Sequence, residues 1–394
     1  MTTDSMLSSW SGTPGSRLLG VFAAGLALAL ALALTLPPPT TTATSGCSVK
    51  NTSTGRTYAT LQRAVNAARP SQALLVRGTC RGRTVIGKDL TVVGRKTRGW
   101  GAPRLVASNL KYPVVTIARG ARVTIRSLAI LHGKGVHNRG VARLADVHVW
   151  GWSDYDERQR LGIRNTGRLW LLGESSVTGT TGVINRGRLT LSGTARIRRN
   201  IPRGYARGSV LNTGVVVMHG RSNIGHNFYC PSMGCLSGSF TNKGRLVMND
   251  RSSLTDQHKS GAAWNLGTMI MNDHASIRRN ASGGWWTALS GGRGGGVDNE
   301  GRLVMRDHSS IHHNTAVAGE EPTARGGGVF NRGTLLMRGS SSIHDNEAES
   351  AVAGPGLGGG LYSTRAGTLV GVTCAPQSLA SVYANTPDDC FFAE

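Results

Sequence analysis

Acidic residues, lysine and aromatic side chains are all scarce in this 394-residue chain. Asp and Glu number 21 against 45 Lys and Arg, a formal net charge of +24, and only seven of the basic residues are lysine. The arginines are spread along the whole chain instead of being gathered in one helix or tail. The charge therefore defines no single nucleic-acid-binding element, although it favours acidic partners. Aromatics make up 5% of residues. A Gly-X-Y period is also missing despite 55 glycines, which excludes collagen, and 39% apolar residues argue against a disordered chain. Length alone predicts two or three domains, a prior that fails if the chain is a repeat array.

Long apolar runs are rare as well, and the clearest is Leu18–Leu36, 19 uncharged residues preceded by Arg17 and followed by Pro37-Pro38-Pro39. Residues 1–45 read as a secretory signal peptide, or as an uncleaved N-terminal membrane anchor, with a Pro/Thr-rich linker. Either implies an extracellular or cell-surface protein. Six cysteines in an exported chain predict disulfides, and six allow 15 pairings. Sequence locality favours Cys47–Cys80, Cys230–Cys235 and Cys374–Cys390. Cys230-x4-Cys235 lacks the second half of a zinc site.

What is abundant is a repeat. Asn-x-Gly recurs at Asn165, Asn185, Asn212, Asn242, Asn265, Asn299 and Asn331, with a looser copy at Asn138. Apolar residues follow each asparagine at +4, +6 and +12, as in Leu189, Leu191 and Ile197. At +15 stand Thr180, Asn200, Asn227, Gln257, Asn280, Asn314 and Asn346. Spacing of two is a strand signal, and glycine and polar residues between supply turns. Each block thus predicts two short strands that bury their apolar faces only by stacking on neighbouring copies. Copies are separated by 20, 27, 30, 23, 34 and 32 residues. All of that variation lies after +15, as expected for a solenoid with inserts extruded on one side. Asn200, Asn227, Asn280, Asn314 and Asn346 are expected to form a coil-to-coil amide ladder. Leu61–Ala68 predicts a short amphipathic helix that caps the open end. Strand-like pieces follow at Ala73–Val76, Thr84–Ile86, Leu90–Val93, Val114–Ile117 and Val123–Ile130. The expected layout is a β-solenoid over 46–373 and a disulfide-tied C-terminal cap over 374–394.

The opening Thr57–Ala68, Leu74–Thr79 and Leu90–Gly94 resemble the N-terminal part of pectin-lyase-like proteins. The pairs Gly294–Val297 with Ser309–Asn314, and Gly326–Val329 with Ser341–Asn346, resemble polymorphic outer-membrane protein repeats. The resemblance covers roughly residues 56–372 and implies an all-β, right-handed parallel β-helix, without the β-barrel such outer-membrane proteins carry. It transfers activity weakly, because that superfamily holds lyases, hydrolases, esterases and non-catalytic adhesins.

The catalytic pattern of an endo-hydrolase of that fold is absent. Asn165-Thr-Gly167 and Asn212-Thr-Gly214 carry glycine where an acid is needed, and Asp388-Asp389 lies in the tail. The only dense acidic cluster, Asp154, Asp156 and Glu157, reads as a solvated loop, and as a calcium site only if the protein is a lyase. Otherwise no cofactor is expected. Asp250, Asp273 and Asp307 read as turn residues, and His312, His313 and His344 as exposed turn side chains. The inserts are the expected binding surface: Trp285, Trp286, Phe228 and Tyr229 beside Arg203, Arg207, Arg293 and Arg325 suit sugar stacking and anion pairing. The favoured reading is a non-catalytic protein that binds an anionic polysaccharide or cell-envelope polymer. It expects no specific nucleic-acid recognition, and membrane attachment only through the N-terminal segment. The alternative is a lyase or hydrolase of uronate-containing polysaccharide.

Overall fold

Each Asn-x-Gly block closes into one coil of three strands, not two. In the computed structural model, described for residues 46–109, 111–151, 161–201, 208–227, 240–258, 261–283, 292–318, 323–350, 356–374 and 380–394, one coil runs Val183–Asn185, Arg188–Leu191, Arg196–Arg198. The extra strand is the triplet that ends on the asparagine. Its signal is faint because the inward positions are one apolar residue and the asparagine itself, so no apolar alternation shows. The apolar member, two residues before the asparagine, is Ile163, Val183, Val210, Phe240, Ala263, Val297 or Val329, each at most 2% exposed. The residues at +4, +6 and +12 complete the inward columns at 1% exposure or less.

Equivalent strands of successive coils pair in parallel without a register slip. Asn165 pairs with Asn185, Asn185 with Asn212, and Asn212 with Asn242. Among the described residues the first strands form a 12-stranded sheet, and the second and third strands belong to a 23-stranded sheet. The protein is all-β, a parallel β-helix whose core is the shared lumen of the coils. The glycine at +2 is set by backbone approach. A Cβ on Gly214 would lie 2.1 Å from the carbonyl oxygen of Gly187 one coil away, and the same clash recurs at Gly187, Gly244 and Gly267.

The ends are closed differently. At the N-terminal end Cys47–Asn51 lies antiparallel on Ala73–Arg81, and the Cys47–Cys80 disulfide ties the two. The helix Leu61–Ala67 begins where the Thr60 hydroxyl accepts from the Arg63 N–H, and it buries Leu61, Ala64 and Val65. At the other end the strands continue past Cys374. Ser381–Tyr383 and Cys390–Phe392 extend the sheets in parallel, and Cys374–Cys390 is a disulfide. The inserts also begin in order: Ala281–Gly283, Thr315–Ala318 and Glu347–Ser350 form a small parallel sheet directly after the +15 residue.

Candidate functional site

Two amide ladders run the length of the repeats. At +15 the Asn200 side-chain amide donates to Asn227 Oδ1 (3.1 Å), Asn280 to Asn314 (2.8 Å) and Asn314 to Asn346 (2.9 Å). Gln257 fits the column by accepting the Asn227 N–H at 3.1 Å. The second ladder is the Asn-x-Gly asparagine itself. From Asn138 to Asn331 each Nδ2 donates to the next Oδ1 at 2.7–2.8 Å. It also donates to a carbonyl of the next coil, as Asn165 does to Arg188 O at 3.0 Å. Both ladders are buried and satisfied, so these amides are structural.

Of the residues singled out for binding, Trp285, Trp286, Phe228, Tyr229, Arg203 and Arg207 lie outside the described residues. So do Asp154, Asp156 and Glu157, and Cys230 and Cys235. Arg293 and Arg325 are described, half-buried on the outer face of the first-strand stack. Arg293 sits 5.4 Å over the Phe330 ring and Arg325 5.5 Å over Tyr362. Phe330, Tyr362 and Phe391 stack at 5.2 Å intervals. Phe330 and Tyr362 are buried, so both arginines lie over a packed aromatic column. Beside them the Arg332 guanidinium contacts Glu300 at 2.5 Å and Asp298 at 3.6 Å, and Trp264 Nε1 donates to Glu300 at 3.0 Å. Burial and the neighbouring Glu300, only partly offset by Arg332 and Arg293, push the Asp298 carboxyl up to about 6. Within this network Asp298 Oδ1 and Arg332 Nε are buried without a hydrogen-bond partner.

A different face carries an open cleft. On the outside of the third strands a trough of about 510 Å³ is lined by Arg221, Arg251, Arg278, His274, His308, His312, Ser253, Ser276 and Ser310. Among the described residues no carboxylate lines it. An adjoining hollow shares Arg221, Arg251 and His274 and includes Asp250 and Asp273. The strand period explains the arrangement: +10 and +12 point inward, so +9, +11 and +13 point out. Column +9 holds Arg221, Arg251, His274 and His308. Column +11 holds the serines, and column +13 holds Arg198, Gly225, Thr255, Arg278, His312 and His344, aligned by the ladder pairs. Imidazoles stack along the axis, His274 on His308 at 5.1 Å and His312 on His344 at 5.0 Å. Half-burial, then the neighbouring His344, His313 and Arg278, lowers His312 to about 4 and keeps it neutral. The Arg198 and Arg278 Nε atoms are buried without a hydrogen-bond acceptor. The apolar periodicity does not show these columns; aligning the repeats at +9 and +13 lines up the cations.

Among the described residues no group of three or more His, Cys, Asp or Glu side chains could hold a metal ion. The two disulfides are compatible with an extracellular location. No protein family matches the chain, and no curated protein or solved structure matches it either.

Proposed function

We propose that this is an extracellular or surface-attached, non-catalytic β-helix protein, akin to the pectin-lyase-like fold group, that holds anionic polysaccharides or cell-envelope polymers. The observation that supports this reading most is the third-strand trough, where Arg221, Arg251 and Arg278 converge with no lining carboxylate among the described residues. Guanidinium groups pair with acidic esters and carboxylates through two parallel hydrogen bonds. Repeating the arrangement coil after coil suits a polymer better than a small molecule. The trough, not the inserts, is taken as the binding face.

Retention on immobilised anionic and neutral polysaccharides tests this. The protein is expected to bind the anionic matrix at low salt, to elute as salt screens the contacts, and to ignore the neutral one. Trp285→Ala/Trp286→Ala should elute at the same salt as wild type. A large loss in that variant would move the site to the inserts, and release of shortened polymer would overturn the non-catalytic reading.

A further inference from the structure

Resting on the anionic-polymer reading, we infer that the trough recognises sulfate or phosphate monoesters borne on successive units of a linear glycan, one ester per coil. Each coil meets the trough from three directions. In the Asn265 coil these are His274 on one wall, Ser276 on the floor and Arg278 on the other wall; in the Asn299 coil they are His308, Ser310 and His312. Wall and floor residues stand two apart on the strand, about 6.6 Å, and the two walls four apart, about 13 Å, so one oxyanion seats between the floor and one wall. A monoester presents three terminal oxygens and can give two to a wall guanidinium and the third to the floor hydroxyl. A carboxylate has two oxygens, and pairing with the guanidinium takes both.

The axial period fixes the ligand's repeat. The stacked imidazoles measure it as 5.0–5.1 Å from coil to coil, comparable to the length one sugar adds to an extended chain. Fixed charge lines the trough on consecutive coils through Arg221, Arg251 and Arg278. Histidines then continue the walls through His312 to His344.

The test is calorimetric titration of the full chain at about 0.15 M salt. The probes are cello-oligosaccharides of two to eight sugars bearing one sulfate per sugar, their phosphorylated counterparts, and counterparts oxidised to uronates. The two ester hexamers are expected to bind at least tenfold tighter than the uronate hexamer, and the sulfate and phosphate arms show which ester is preferred. Affinity should rise with length to about four to six sugars and then level off. Ser276→Ala/Ser310→Ala should narrow the ester preference severalfold while leaving uronate binding unchanged. Equal affinity for uronate and ester hexamers, a steady rise to eight sugars, or an unchanged preference in the serine variant would overturn the inference while leaving the anionic-polymer reading intact. Failure of all three probe classes to bind would overturn that reading itself.

Discussion

Asp298 shows how one side chain can set a pH response in an otherwise rigid wall. It occupies the outward position of a first strand, about a quarter exposed, 3.6 Å from Arg332. Its carboxyl is raised to about 6 from 3.8, chiefly by burial. A raised carboxylate holds its proton longer when folded than when unfolded. The stability it confers is therefore full below about pH 4 and disappears as pH rises through 6. Asp298→Asn keeps the neutral shape at every pH. Its thermal midpoint should equal wild type near pH 4 and exceed it at pH 7 to 8, by of order 1–2 kcal/mol given residual solvent screening. Identical pH profiles would show that Arg332 already compensates the charge.

At the scale of the element, the turn between second and third strands carries a left-handed residue at +8. Glycine fills it in several coils, but Asp250, Asp273 and Asp307 adopt φ of 56, 53 and 57°. Aspartate is tolerated because it returns a bond: Asp273 Oδ2 accepts the Asp250 N–H of the preceding coil at 2.9 Å, and Asp307 Oδ2 accepts the Asp273 N–H at 3.1 Å. Asp273→Asn keeps both the acceptor and tolerance of the left-handed region, so its unfolding midpoint should match wild type. Asp273→Gly loses only the bond, and Asp273→Ala loses the bond and adds backbone strain, together about 1–3 kcal/mol. Midpoints that fail to fall in the order Asn, Gly, Ala would mean the turn does not limit stability. This turn was legible in sequence, as were the helix at Leu61–Ala67 and the strands carrying +4, +6 and +12, because each has a local period or a strong turn residue. The first strand was not, since the inward asparagine hides its alternation. The Asn-x-Gly ladder went unseen for the same reason: the triplet reads as a turn until coils are stacked.

Across the whole molecule, stacking converts sequence columns into axial rows. The same stacking that buries leucine, isoleucine and methionine in the lumen lines up arginine, serine and histidine outside. Part of the +24 charge thereby becomes a trough with direction and period. The fold could be read from spacing alone because every coil must satisfy the same backbone contacts, as the glycine column shows. The site could not be read that way, because Arg221 and Arg251 stand at +9 and Arg278 at +13, and they converge only when the third strands pair. Arginines elsewhere, such as Arg188, Arg245 and Arg302 on the second-strand wall, stand exposed in a row as well. They provide the needed comparison, since they carry equal charge on another face. The most direct measurement is the affinity of two charge-matched triple variants for one sulfated polymer at fixed salt. Arg221→Gln/Arg251→Gln/Arg278→Gln should lose at least tenfold, and Arg188→Gln/Arg245→Gln/Arg302→Gln less than threefold. Equal losses in the two would contradict a trough and leave only diffuse attraction by net charge.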